Sequence, residues 1–234
     1  MSEETVSAAD AAGTSVAQRM YGVFFSPKAT FADIARRPDW VVPLVIGIVT
    51  SVLSGYFLQD VIWEVTREQM QNNPNISPEQ LEQTLQAAET WVRYSSWIMP
   101  LITTVLMYVI IAALLLFSGN VLLGGEARFV QVFSVVCWSS LVNVVNSLVN
   151  VPLMRSRGEL ASATNLTFLA PEAEMQSVTY FLLSQLDLFY LWWVALLGMG
   201  LAAVYNYTTQ KGITIVASWW VLYIIIASVF KLIF

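Results

Sequence analysis

The side chains able to do chemistry in this chain are few, and most of the usual sets are missing. No His occurs, which excludes a histidine-based triad, a His-ligated zinc site and an imidazole relay. The single Cys137 excludes an intrachain disulfide and a Cys-x-x-Cys site. What remains is polar matter in apolar surroundings. Ser139, Asn143, Asn146 and Asn150 share one helical face, with Ser140 and Ser147 beside them. Asp187 and Lys231 each stand alone in an otherwise uncharged tract. Amides and charges are costly in hydrocarbon unless hydrogen-bonded, so these residues must face protein or water. They are candidates for interhelical bonding or for a polar path.

The elements that position them follow from composition. Of 234 residues, 57% are hydrophobic and only 12% are charged, where a soluble domain carries about a quarter charged. That excludes a soluble globular enzyme and a disordered chain. The charges cluster between long uncharged tracts, and a helix crossing about 30 Å of hydrocarbon needs roughly 20 apolar residues. Five tracts qualify, at about 41–60, 97–123, 129–152, 182–205 and 213–232. Trp40 and Trp63 bracket the first, as interfacial aromatics do. The expected fold class is all-α: a polytopic membrane protein with five transmembrane helices and a short N-terminal interfacial helix. Residues 1–17 read as a disordered cytoplasmic leader, 18–38 as an interfacial amphipathic segment, and 39–234 as the five-helix transmembrane domain.

Orientation follows from Lys and Arg near the span ends. Arg19, Lys28, Arg36 and Arg37 precede the first span, while Arg67 and Arg93 follow it among five Glu residues. This bias places the N-terminus in the cytoplasm and, across five spans, the C-terminus outside.

Outside the spans, Phe24 to Arg37 reads as a short helix, with Ser26 able to cap it and Pro27 suited to its first turn. Phe31, Ile34 and Ala35 fall on one face. Phe24, Phe25 and Phe31 are the candidate interfacial anchors. Such a helix can bind the membrane surface or a partner, or it can pack on the protein's own spans. After the first span, Ser77-Pro78-Glu79-Gln80 has a capping-box pattern, and Leu81, Leu85, Ala88 and Val92 follow at helical spacing. This stretch leads toward the second span, with a bend expected near Pro100. It reads as a folded loop on the membrane surface or as a lid over an outer cavity. Asn165-Leu166-Thr167 and Asn206-Tyr207-Thr208 match the glycosylation triplet, a pattern too short to be specific. Gly47, Ser51 and Gly55 in the first span, and Gly198 with Ala202 in the fourth, make smooth ridges for close helix contact.

Depth connects the polar residues. Asp187 and Lys231 lie 22 positions before and after residue 209, the centre of the loop between spans four and five. In an antiparallel hairpin both reach about 27 Å above the inner ends of their spans, close to the outer edge of the hydrocarbon. Counting outward from Phe129 brings Asn146 to the same level. The candidate polar cluster is therefore Asn143, Asn146, Asn150, Asp187 and Lys231, with at least one of the two charges turned inward. A direct contact between them is left open, because depth does not fix rotation about a helix axis.

The order of features resembles the bacterial branch of the Yip family of five-span integral membrane proteins. The residues that carry the resemblance are Phe24-Phe25-Ser26-Pro27-Lys28-Ala29-Thr30-Phe31, Arg37-Pro38-Asp39-Trp40 and Gly124-Gly125-Glu126-Ala127-Arg128-Phe129, then Phe133-Ser134-Val135-Val136 and Ser139-Ser140. The resemblance covers roughly residues 20 to 230, and it implies a five-span helical fold with a cytoplasmic N-terminus in a bacterial inner membrane. Eukaryotic relatives are associated with Rab-type GTPases, a role not carried over, since the Asp-Leu-Tyr-Gly-Pro signature is missing. The resemblance supplies no catalytic residue, cofactor or metal.

The leading functional expectation is a non-enzymatic membrane protein that acts through helix packing and contacts with lipid or protein, in membrane organisation or a trafficking-like role. Its partners would be membrane lipids, a membrane protein or a second copy of itself. A net charge of −5 gives no reason to expect nucleic acid. The alternative is a small transporter or channel using the polar cluster, against which stands the lack of a visibly broken helix pair.

Overall fold

The computed structural model describes residues 14–170 and 177–233. Nine α-helices are found among them: α1 (Val16–Phe25), α2 (Pro27–Arg36), α3 (Val41–Gln71), α4 (Pro78–Leu116), α5 (Phe129–Ser139), α6 (Val142–Arg157), α7 (Val178–Gln185), α8 (Leu188–Tyr205) and α9 (Thr209–Ile233). A π-helical turn, Phe117–Leu122, extends α4. Five helical stretches are long and apolar enough to cross a membrane: α3, α4 with its π turn, α5 with α6, α8 and α9. The chain is an all-α polytopic membrane protein.

The expected leader at residues 1–17 lies outside the described residues up to position 13. At its other end it is overtaken by structure, because α1 begins at Val16. Ser15 and Gln18 form a reciprocal cap there: the Gln18 amide donates to Ser15 Oγ, and the Ser15 amide to Gln18 Oε1. The single interfacial helix is in fact two. Pro27 lacks the amide hydrogen that a continuing helix would need, so α1 stops and α2 starts afresh with Pro27 in its first turn. The Ser26 side chain does not cap α2, which corrects the expected cap.

The contacts divide into two units. The first joins the described residues of Met1–Leu44 with Tyr108–Leu141 and Trp193–Val221. Its core is the fully buried run of Val132, Val135, Val136, Cys137 and Trp138 on α5, with Leu196, Leu197 and Leu201 of α8. α2 packs on this core through Phe31, Ile34 and Ala35. The fit depends on Gly200, where an added Cβ would lie 2.3 Å from Val135 Cγ1 and 3.0 Å from Phe31 Cδ1. Two donors of α5 then hold the segment before the first span. Gln131 Nε2 donates to the Ala35 carbonyl at 2.9 Å, and Trp138 Nε1 to the Asp39 carbonyl at 2.6 Å. The Gly198 and Ala202 ridge is used within the chain, because a Cβ on Gly198 would meet Ile213 Cα at 2.5 Å.

The second unit joins the described residues of Val45–Met107, Val142–Trp192 and Leu222–Phe234. Here the expected surface-lying loop is corrected. α3 runs on past Asp60 to Gln71, and α4 starts at Pro78, so the loop residues prolong the two spans as a helical hairpin. The apolar row of Leu81, Leu85, Ala88 and Val92 does not face the lipid surface alone; Val61 and Val92 are both buried. α4 continues through Pro100 as one 39-residue helix.

Two of the expected spans are interrupted, each beside polar residues already visible in the sequence: Ser139 and Ser140 in the third and Asp187 in the fourth. Between α5 and α6 the backbone tightens at Ser140 and Leu141. Ser140 Oγ donates to the Val136 carbonyl at 2.8 Å, and the Leu141 amide moves to the Trp138 carbonyl at 3.3 Å. The Ser140 amide keeps the Val136 carbonyl at 3.0 Å, so the helix tightens for a single residue, at Leu141, before α6 begins. The fourth span is divided at Leu186 and Asp187, which lie between α7 and α8. The expected span at 182–205 therefore begins at Leu188.

Candidate functional site

Asp187 sits at the start of α8, and its position is set by local chemistry. Its Oδ1 accepts the Phe189 amide at 2.8 Å and the Tyr190 amide at 3.4 Å, so it caps the helix and breaks the one before it. The negative charge also lies at the favourable end of the α8 dipole. Its Oδ2 accepts from two hydroxyls of the preceding loop, Ser162 at 2.8 Å and Thr164 at 2.6 Å. The backbone reinforces this, with the Leu188 amide on the Thr164 carbonyl at 3.2 Å. Asp187 retains 8% of its exposure, so four donors surround a carboxylate nearly removed from water.

Asn150 of α6 joins the same layer. Its Oδ1 accepts the Ala163 amide at 2.8 Å and lies 3.2 Å from Ser162 Oγ, whose single hydrogen is shared between Asn150 and the nearer Asp187, while its Nδ2 donates to Thr164 Oγ1 and to Asn146 Oδ1. The loop residues Ser162–Thr164 are thus held between α6 and the cap of α8. Asn146, Asn150 and Asp187 are brought together, and a hydrogen-bonded layer of this kind holds its loop in place.

Two candidates lie elsewhere. Asn143 is exposed. It sits one residue into α6, and the break at Ser140–Leu141 shifts the face it would have shared with Ser139. Lys231 is also exposed, with its ammonium 5.8 Å from the centroid of the Phe181 ring. It stands in the last turn of α9, and the bonds of Asp187 run to Ser162, Thr164 and the amides of Phe189 and Tyr190. The carboxylate is met by hydroxyls and amides.

Sequence reasoning missed Ser162 and Thr164. Their signal was modest: two hydroxyls two positions apart in a polar loop, brought to one side by the turn at Ala163–Thr164. It also missed a junction at the other end of the spans. Tyr205 Oη donates to Asn120 Oδ1 at 2.8 Å, and Asn120 pairs with both backbone groups of Ala127 at 2.9 and 3.0 Å. Gly119 and Gly125 leave the slot for the Tyr205 ring, since an added Cβ on Gly119 would lie 2.0 Å from it. This accounts for Gly125 and Ala127 in the segment opening α5.

The interfacial aromatics divide. Phe31 is fully buried on the spans, Phe24 is half-buried, and Phe25 is 68% exposed, stacked on Tyr21 at 4.4 Å between centroids. Phe31 therefore serves packing, and Phe25 with Tyr21 remains available to an apolar phase. Behind them, Arg19 of α1 pairs with Asp33 of α2 at 2.8 Å, tying the two helices together. The glycosylation triplet at Asn165 is shielded, because the side chain is buried and its Oδ1 accepts from Thr167.

Among the described residues, the polar groups of this layer hold a loop between α6 and the start of α8. No curated protein and no solved structure matches the chain. A family does match over nearly its whole length, residues 21–230, a range that runs from within α1 to within the last turns of α9 and includes the polar layer of Asn146, Asn150 and Asp187. On that match, the chain belongs to the Yip1 domain family of membrane proteins.

Proposed function

We propose that this protein is a non-enzymatic component of a bacterial inner membrane, acting through contacts of its helices with lipids or with another membrane protein. The observation that carries the reading is where the apolar surface lies. Of the apolar 18-residue window in each span, 61% is buried in the third, but only 11% in the first and 6% in the fifth. The first and fifth spans thus offer their side chains to lipid or to a partner helix, including one from a second copy. The polar layer supports the same reading, because the donors and acceptors around Asn150 and Asp187 are spent on one another. The basic residues Arg19, Lys28, Arg36 and Arg37 before the first span support a cytoplasmic N-terminus and an outside C-terminus.

The runner-up is a small transporter or channel. It draws on the two interrupted spans and on the polar cluster of Asn143, Asn146, Asn150, Asp187 and Lys231. One experiment separates the two. The protein is reconstituted in liposomes and tested for proton or ion conductance under an imposed gradient. The proposed reading expects the leak of empty liposomes. A conductance that disappears in Asp187→Asn would overturn it in favour of transport.

A further inference from the structure

The helical hairpin of α3 and α4 contains a cleft in which the polar layer takes no part. Its register is fixed by two contacts. Thr104 Oγ1 donates to Ser51 Oγ at 3.0 Å, and the helices approach so closely at Gly55 that a Cβ there would lie 1.7 Å from the Ser96 carbonyl oxygen. Continued outward, this register sets Gln59, Asp60 and Trp63 against Glu89, Val92 and Arg93. These six side chains line a cleft of about 130 Å³.

Its depth follows from the first span. No charged residue occurs between Val41 and Asp60, a rise of about 28 Å, which is nearly the thickness of the hydrocarbon. Tyr56, Trp91, Tyr94 and Trp97 are exposed around the same level. Exposed aromatics in a belt mark the headgroup region. The cleft therefore opens where phospholipid headgroups lie.

The chemistry of its lining is of both signs. Asp60 and Glu89 bring carboxylates and Arg93 a guanidinium. Their ion pairs are loose, with Arg93 3.5 Å from Glu89 and Arg155 4.0 Å from Asp60, and all four side chains are at least half exposed. Such pairs contribute little to stability and readily exchange partners. A ligand that carries both an ammonium and a phosphate satisfies both signs at once. A primary ammonium has three hydrogens for the two carboxylates, and the planar fork of Arg93 matches phosphate oxygens. A quaternary ammonium calls for an aromatic cage, whereas Trp63 is the one aromatic residue among the six. A purely anionic headgroup would face two carboxylates.

We infer that this cleft holds the phosphoethanolamine headgroup of a membrane phospholipid, with the amine on Asp60 and Glu89 and the phosphate on Arg93. The inference rests on the lipid-contact reading above and gives it a specific site. To test it, delipidated full-length protein is offered equal amounts of phosphatidylethanolamine, phosphatidylglycerol and phosphatidylcholine in detergent, and native mass spectrometry reads what stays bound. The ethanolamine lipid is expected to be retained roughly fivefold over either other lipid. Asp60→Asn combined with Glu89→Gln, and separately Arg93→Gln, should each erase that preference while leaving thermal stability unchanged. Equal retention of the three lipids, or a preference that survives both variants, overturns the site but leaves the broader reading standing. Displacement of the lipid by an equal concentration of soluble glycerophosphoethanolamine overturns the lipid as the occupant and assigns the cleft to a free solute. A conductance in the liposome experiment would instead overturn the broader reading and leave the headgroup preference intact.

Discussion

Two aspartates in this chain are drawn away from water, and their surroundings satisfy them by different means. Asp33, on α2, is met by a guanidinium: Arg19 Nη2 lies 2.8 Å from its Oδ2, and both side chains are mostly covered. Asp187, at the start of α8, is met by two hydroxyls and two backbone amides. The first arrangement joins two neighbouring helices by charge. The second joins a loop to a helix end by geometry, since four donors must converge on one carboxylate. Geometry of that kind is less forgiving, because every lost acceptor leaves donors stranded in a poorly hydrated place.

The largest effect should therefore fall on Asp187. Asp187→Ala removes a helix cap and the acceptor of two loop hydroxyls, and should lower unfolding stability in detergent by about 3 kcal/mol. Asp187→Asn should lose about half as much, because asparagine also caps helices but turns an amide toward two hydroxyl donors. Denaturant titration of the purified variants measures both. Stability unchanged in Asp187→Ala would break the comparison and return this layer to a ligand.

Arg19→Met should cost less, about 1 kcal/mol, since the Asp33 side chain, though mostly covered, keeps 16% of its exposure and water can reach the carboxylate once the guanidinium is gone. The loss should be local. Limited proteolysis is the measurement, with cleavage expected to increase between Val16 and Arg36 while the spans stay protected. Equal destabilisation of the spans would mean that the N-terminal helices are part of the cooperative core.

How much of this was legible in the sequence depends on the range of the interaction. The five spans were readable because lipid imposes one length on every crossing, and the uncharged tracts display it directly. Asp187 and Asn146 could be matched in depth because helical rise is constant. Rotation was not readable, so Lys231 and Asn143 were grouped with residues they do not join. Asp187 already left the start of the fourth span open between Val178 and Leu188, whereas the break at Ser140 was hidden because a serine hydroxyl bonded to a helix carbonyl occurs in broken and unbroken helices alike. The role of Gly119 needed a partner 86 positions away, Tyr205, which no local pattern supplies.

Acidification should sharpen the contrast at Asp33. Burial works to raise its pKa, but the hydrogen bond from Thr14 and the charge of Arg19 outweigh it, holding the carboxyl below its ordinary value of 3.8. A carboxyl with a lowered pKa binds fewer protons folded than unfolded. Its contribution is complete above the ordinary value and is lost as pH falls through the lowered one. Proteolytic or hydrogen-exchange protection of α1 and α2 should thus hold at pH 5 and weaken below about pH 4. In Asp33→Asn this dependence should vanish.

The smallest effect is expected at Lys231, and it tests the comparison from the other side. Equal depth makes a Lys231–Asp187 ion pair attractive on paper, and a buried pair would make the two residues interdependent. The lysine is exposed beside Phe181, so Lys231→Met should change stability by less than about 0.5 kcal/mol. The decisive measurement is the double variant with Asp187→Ala. If the two residues act separately, its loss equals the sum of the single losses to within about 0.5 kcal/mol. A clear shortfall from that sum would mean that the ammonium does contribute to holding Asp187. The carboxylate would then belong with Asp33, as a charge met by a charge.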